Sequence, residues 1–506
     1  LASNRPVFDL YWHGSGQYRL SQEQLVFLDK VQQICNIDFK QNKIEKGVLF
    51  CERYAKRMLL KADITFDELC CISEQCAHSC NLIISKRFKR FYPLKHLASH
   101  LLGYLSSREK HYITKGLSGL ERMFQQKLKG EVGYVLHVIN SKGKKLDQKD
   151  FKGARAGNDI KLTLDARLQR VAESLFEKDQ SGAFILMNPL DGSIISMVSF
   201  PNFDPNIFLT PISYDVWENE LNHNSTLLNR ATSASYPPAS IFKLITFAAG
   251  LQEGIIDDNT AFECKGFISF CSRKHHCIRR WGHGELDSKT ALAYSCNIPC
   301  FQIAQEIKIN QLADYAYRFG FGCKTGFLLN ECCGLVPTYE WKVATKGERW
   351  WKGETLSASI GQSYTLVTPL QVARMVSAIC TGFLIKPRIL EEEEIKAEEL
   401  YIEEKTLEFL RKAMSDVVRF GSAKILNRLK DFAVFAKTGT AQTASLDRQR
   451  ISKEQLEHAW LASYFRYKDD DPLTLVVLVE HVGTSAPARK IAFKFLQAYK
   501  RLKEGI

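Results

Sequence analysis

The chain has 506 residues, 45 % hydrophobic and 25 % charged, a globular balance that excludes a disordered, collagen-like or disulfide-knot protein. At about 150 residues per domain, this is roughly three domains' worth. Its 69 Lys and Arg against 56 Asp and Glu give a formal net charge of +13, which points to nucleic acid, an anionic membrane or an anionic polymer, or to no more than a solvated basic surface.

Residues 21–60 read as helical, with Leu25, Val26, Leu28 and Val31 set among Lys, Gln and Glu. Cys70, Cys71, Cys76 and Cys80 follow. No matching His or Cys group lies near them, so a partly buried helix surface is expected ahead of a metal or disulfide. There are 15 cysteines, and an odd number cannot all pair within the chain. A Gly- and Lys-marked stretch over 130–157 sets the expected main boundary. Residues 160–164 alternate as a strand, Asp165 caps a helix running to about Phe176, and 183–187 and 193–200 are strands around a turn. The acidic run 391–394 reads as a solvated loop, and the chain closes on a strand over 473–479 and a helix over 487–502. No stretch approaches the ~18 apolar residues of a membrane helix. The first residue is Leu1 and no signal peptide is visible, so an upstream piece is expected to be missing.

Three short motifs carry chemistry. The first is Ser240-Ile241-Phe242-Lys243, entered through Tyr236-Pro237-Pro238-Ala239. On a helix, positions three apart share a face, so the Ser240 hydroxyl and the Lys243 amine can meet. A serine nucleophile needs a base, and a lysine is a base only when burial or a nearby cation lowers its pKa. Alone, a Ser-x-x-Lys pattern means little. The second motif is Ser295-Cys296-Asn297, with a hydroxyl for proton relay and an amide for a substrate peptide bond. The third is Lys437-Thr438-Gly439-Thr440 at the end of a strand-like run. There Gly439 permits close backbone approach, while the lysine and threonines offer charge and hydroxyls to a carboxylate. Their order is the set known from penicillin-interacting serine enzymes.

With these motifs the chain resembles class B penicillin-binding proteins of the elongation (penicillin-binding protein 2) type. The resemblance extends to residues 1–6, to 92–105 and 116–133, to "IKLTLDARLQRVAE" (160–173), to "SIGQSYTLVTPLQVAR" (359–374) and to "HAWLASYF" (458–465). Ala239 and Ser363 depart from it, since glycine is usual at both. The resemblance implies an α+β fold. A pedestal, or dimerisation-like, domain over 1–157 precedes a serine β-lactamase-like transpeptidase domain over 158–506, with an antiparallel sheet flanked by helices. It implies a penicillin-sensitive peptidoglycan D,D-transpeptidase with Ser240 as nucleophile, Lys243 as base and Lys437 lowering its proton affinity. Ser295 would relay a proton and Asn297 hold the substrate. Lys437, Thr438 and Thr440 would bind the terminal carboxylate, Gly439 would admit the substrate backbone, and the N–H groups of Ser240 and Thr440 would form the oxyanion hole. The implied partners are stem peptides, β-lactams, a SEDS-type glycosyltransferase and the elongation complex, with no nucleic acid. The implied setting is the periplasmic face of the inner membrane, reached by a single N-terminal anchor absent from this chain.

Cysteines and histidines concentrate again before the second motif. The resemblance singles out Cys264, Cys277, His283 and Cys296 as a structural zinc set; a Cys264–Cys277 disulfide and free buried thiols are the alternatives. Catalysis itself calls for no cofactor. Rival functions are a β-lactamase or β-lactam sensor, against which the long N-terminal part argues, and a catalytically silent scaffold. A nucleic-acid binder lacks the compact basic helix or aromatic platform it would need.

Overall fold

The structure, a computed structural model, describes residues 1–39, 44–106, 115–140, 145–222, 225–271, 273–441 and 453–505. The chain divides into two compact units, Leu1–Leu94 with Phe124–Asp159, and Lys95–Met123 with Ile160–Ile506. Residues 95–123, expected in the first domain, fold with the second unit. There the Ala98 amide donates to Glu173 Oε1 (2.8 Å) and His100 Nε2 to the Thr226 carbonyl (2.7 Å). Among the described residues no helix is long and apolar enough to cross a membrane.

In the first unit, β1 (Ser3–His13) is the middle strand of an antiparallel sheet, between β2 (Arg57–Ile64) and β3 (Leu82–Phe91). Its register on β3 runs from Ser3↔Phe91 to Trp12↔Leu82. The expected helix over 21–60 breaks into two helices and a strand. Helix Gln22–Cys35 starts at a capping box, Ser21 with Gln24, and stops where Asn36 turns left-handed at φ 50°. Helix Ile44–Arg53 follows, and then β2 forms because pairing with β1 outweighs its mixed local pattern. Leu10, Trp12, Val31 and Val48 fill the core. Glu52 lies buried among them, accepting from Trp12 Nε1 (3.1 Å), Gln24 Nε2 (3.2 Å) and the Ser15 amide (3.1 Å). As expected, Cys70 and Cys71 lie on a helix, Phe66–Gln75, and only Cys76, its C-cap, is buried. The strands β4 (Tyr134–Ile139) and β5 (Lys145–Lys152) form a separate ribbon in this unit.

The second unit holds the motifs. Residues 160–164 do not form a strand. Only Leu162 bridges, to Leu390, while Thr163 ties the segment down by donating from its amide to Ile389 O (2.9 Å) and from its hydroxyl to Ile194 O (2.7 Å). Asp165 caps helix Ala166–Ser174 by accepting from the Arg167 and Leu168 amides. Next come β6 (Gly182–Met187) and β7 (Ile194–Phe200). The short strands β8 (Ala261–Cys264) and β11 (Gly284–Asp287) pair, as do β9 (Phe267–Phe270) and β10 (Arg273–His276) between them. A further ribbon joins β12 (Phe383–Ile385) and β13 (Ala397–Glu399). Last are β14 (Phe432–Ala441), β15 (His458–Tyr467) and β16 (Leu473–Val479).

The main sheet is antiparallel in the order β14-β15-β16-β6-β7. Every residue of β16 is buried, because helices cover both faces and the strand has no solvent side. Leu475 and Val477 face helix Ala486–Glu504. On the other face, the Thr474 hydroxyl meets that of Ser377 on helix Pro369–Thr381 at 2.8 Å. Phe184 on β6 is wholly buried against Phe495, with ring centroids 4.7 Å apart. Phe184→Ala is therefore expected to destabilise this unit by about 3–5 kcal/mol, read from chemical denaturation; a change below about 1 kcal/mol would contradict the packing described.

Candidate active site and cysteine cluster

Ser240 lies in a 3₁₀ turn, Ala239–Ile241, and the α-helix starts only at Lys243. The approach to it is held from three sides. Tyr236 pairs with Val367 through both backbone bonds, and its hydroxyl donates to Glu480 Oε1 at 2.5 Å. Trp460 Nε1 donates to Pro237 O at 3.0 Å. The Ala239 amide donates to Gly361 O at 2.9 Å. A Cβ at Gly361 would fall 2.2 Å from Ala239 O, so only glycine allows this crossing. Ala239 has φ +49° and exposed Ser363 has φ +70°. The chain thus carries a side chain at two left-handed positions where its resemblance leads one to expect glycine.

Lys243 is fully buried, and its Nζ donates to Asn297 Oδ1 (2.6 Å), Ser295 O (2.7 Å) and Ser295 Oγ (3.3 Å). Lys437, also fully buried, reaches the same Ser295 Oγ at 2.9 Å. Burial pushes the Lys243 amine below the usual lysine range. Burial, and then the charge of Lys243, pushes Lys437 well below it. Two ammonium charges disfavour each other in one dry pocket, and the stronger depression falls on Lys437. The expected Ser240–Lys243 hydrogen bond is absent among the described residues. Lys243 opens the helix while Ser240 sits in the turn before it, and the buried amine is satisfied by the oxygens of Ser295 and Asn297. Ser240 stays partly exposed, open to an incoming carbonyl. Catalytic hydrogen bonds commonly tighten only once a substrate is present.

On β14, Lys437 and Gly439 face the Ser240 turn. A Cβ at Gly439 would meet Trp460 Cβ at 3.2 Å and Pro238 O at 3.3 Å, wedging the strand away from that turn. Strand alternation sends Thr438 to the other face, where its hydroxyl lies 2.5 Å from that of Ser422. Thr440 follows on that same face. Ser422, Glu480 and the Trp460 indole were missed. The strand register Gly439↔Trp460 is what gives Trp460 its place, and no spacing in the sequence announces it.

Asn297 also donates from Nδ2 to His276 O at 3.0 Å, which ties the second motif to the short ribbons. There Cys264, Cys277, His283 and Cys296 place their ligand atoms within 4.8 Å of one another. His283 Nδ1 is 3.5 Å from both Cys264 Sγ and Cys277 Sγ, and Cys277 Sγ is 3.7 Å from Cys296 Sγ. The last distance is no disulfide, and the cysteines are free thiols. A tetrahedral ion with bonds of about 2.3 Å to sulfur and about 2.0 Å to nitrogen spaces its ligand atoms by about 3.5–3.8 Å. The donor set and its spacing therefore fit a Cys3His centre. Cys277 is pushed down to about 4, first by a hydrogen bond from Cys296, with the Asn297 and Arg279 amides adding to it; Cys296 moves up in turn.

Comparison with known proteins follows from this geometry. A family described as the penicillin binding protein transpeptidase domain matches residues 182–497, and the penicillin-binding protein dimerisation domain matches 1–162. The chain is 29 % identical to the peptidoglycan D,D-transpeptidase MrdA of Acinetobacter baumannii, over 98 % of this chain and 78 % of that one. It is similar to the solved complex between PBP2 and MreC from Helicobacter pylori, with TM-score 0.84 and 27 % identity over 99 % and 95 % of the two chains. A structure on the coordination of polymerization and crosslinking by a peptidoglycan synthase complex matches with TM-score 0.78 and 26 % identity, over 99 % and 88 %.

Because the left-handed backbone at Ser363 strains any L side chain and the residue buries nothing, Ser363→Gly is expected to stabilise the unit by about 1 kcal/mol. A lowered denaturation midpoint would contradict that strain.

Proposed function

The chain belongs to the penicillin-binding protein transpeptidase family, with its dimerisation domain, and from that premise we propose that it cross-links peptidoglycan stem peptides during cell elongation through an acyl-enzyme on Ser240. The observation that carries this reading is the pair of buried lysines on the Ser295 hydroxyl beside an open serine. Ser240 Oγ attacks the penultimate D-alanine carbonyl and gives its proton to Lys243, which acts in the neutral form that its burial favours. The N–H groups of Ser240 and Thr440 hold the oxyanion. As the C–N bond breaks, the proton passes through Ser295 to the departing D-alanine amine, leaving an ester on Ser240. The amine of a neighbouring stem attacks that ester, forms the cross-link and returns the proton to Ser240. Lys437, Thr438 and Thr440 bind the donor's terminal carboxylate, with the Ser422 hydroxyl 2.5 Å from that of Thr438, and Asn297 holds its peptide bond.

Cys264, Cys277, His283 and Cys296 would hold a structural zinc ion, which would cross-link the short ribbons to the second motif. Cys277 Sγ accepts the Asn297 amide at 3.5 Å and so ties down the loop that carries Ser295 and Asn297. Residues 1–157 serve as pedestal, apart from 95–123, which fold with the second unit, and 158–506 as catalytic domain. The solved relatives named with MreC and in a synthase complex support elongation-complex partners and a SEDS-type glycosyltransferase for this chain, with the catalytic domain on the periplasmic side of the inner membrane.

Fluorescent penicillin is expected to label the wild type and not Ser240→Ala. Equal labelling of both removes Ser240 as nucleophile, unlabelled wild type points to a scaffold, and release of the label within seconds points to a β-lactamase. Below the folded-state pKa of the base the amine is protonated and idle, so the second-order rate of labelling should rise with pH and level off below the usual lysine range. A rate flat from pH 5 to about 9 would contradict a lysine base. Protein purified without added metal should hold about one zinc per chain by elemental analysis, and less than about a tenth would sink the metal assignment.

A further inference from the structure

Trp341, Trp350 and Trp351 are three of the chain's seven tryptophans, and none belongs to a core. Tyr364 joins them, its ring centroid 5.1 Å from that of Trp341 and 6.4 Å from that of Trp350. Trp351 is 51 % exposed. The tryptophans Trp12 and Trp460, by contrast, are wholly buried. Trp341, Trp350 and Tyr364 are half-buried; single exposed rings need no explanation, but a group of partly exposed ones gathered on one segment marks a ligand face.

The group is fixed in place. Lys342 is 1 % exposed and donates to both Glu354 oxygens, at 2.5 and 2.6 Å. Glu354 also accepts from the Trp351 amide at 2.9 Å, and Trp350 Nε1 donates to Thr355 Oγ1 at 2.9 Å. A buried ion pair and the start of helix Lys352–Ser359 thus hold the rings before any ligand arrives. The same helix runs to the Ser240 turn. The Thr246 hydroxyl donates to Ser359 O at 2.6 Å, and Gly361 O takes the Ala239 amide. Cations lie over one face of two rings: Arg349 4.0 Å from the Trp351 centroid, and Lys346 Nζ 5.8 Å from that of Tyr364. Glu348, the acid beside them, has a side chain 65 % exposed.

Flat indole and phenol faces take the C–H face of a pyranose ring by dispersion and area burial, and the cations take carboxylates. A chain of N-acetylated hexosamines bearing acidic peptides presents both chemistries together. We propose that Trp350, Trp351 and Tyr364, with Arg349 and Lys346, bind the N-acetylhexosamine strand that carries the stem peptide. The site rests on the transpeptidase reading and deepens it: it holds the sugar while the peptide reaches Ser240.

The probe is the soluble tetramer of N-acetylglucosamine, titrated calorimetrically into the whole chain. Wild type should bind it saturably. Trp351→Ala should weaken binding by about tenfold while melting as the wild type does. Arg349→Ala, which removes a carboxylate partner that this neutral probe does not use, and Tyr401→Ala, which removes a ring 74 % exposed outside the cluster, should bind as wild type. No saturable binding by the wild type, or wild-type binding by Trp351→Ala, overturns the proposal. The first of these results leaves the face to a protein segment. Wild-type penicillin labelling run alongside separates the two claims. Sugar binding without labelling fails the transpeptidase reading, and labelling without sugar binding fails the sugar site.

Discussion

Two lysine amines drawn out of water onto one serine hydroxyl set the terms for the rest of the catalytic unit. Lys243 and Lys437 come from a helix and a strand separated by most of the second unit's sequence, yet both reach Ser295 Oγ. Burying either amine charged is unfavourable, and burying both charged is worse. The site meets this by surrounding Lys243 with the oxygens of Ser295, Cys296 and Asn297 and by letting Lys437 fall far below its ordinary proton affinity. A base at neutral pH is then a consequence of packing.

That packing needs a rigid frame, and each part of it can be traced. The five-stranded sheet fixes Lys437 and Gly439 through the β14–β15 register. Trp460 on the neighbouring strand holds the carbonyl of Pro237, and the Arg230–Glu480–Tyr236 chain holds the residue before it. The cysteine cluster does for Ser295 and Asn297 what the sheet does for Lys437, since Cys296 lies between them in the chain. The aromatic face at Trp350 and Trp351 joins the same frame through one helix.

Much of this was legible in the sequence, and the limits have physical causes. The three motifs named the residues because their chemistry is local to a few positions. Asp165 showed its helix start because a cap is a one-residue signal, and β16 showed as an unbroken apolar run because both its faces are covered. Residues 160–164 misled because alternation says nothing about whether a partner strand is present; Thr163 spends its hydrogen bonds on two different segments. Residues 57–60 were read as helix because only pairing with β1 makes them part of a strand. Ser240 and Lys243 were placed together on one helix, whereas Ser240 lies in the 3₁₀ turn just before it. Trp460, Ser422 and Glu480 act through tertiary register, which no single sequence encodes in a short pattern.

The central claim is that a buried lysine beside Ser240 is neutral at neutral pH. Its direct measurement is a side-chain NMR titration of 13C-labelled lysine in the whole chain, with Lys243 and Lys437 assigned from Lys243→Arg and Lys437→Arg variants. The account predicts that at least one of the two resonances titrates well below the ordinary lysine value of about 10.4. Two resonances that both titrate at about 10.4 would contradict it.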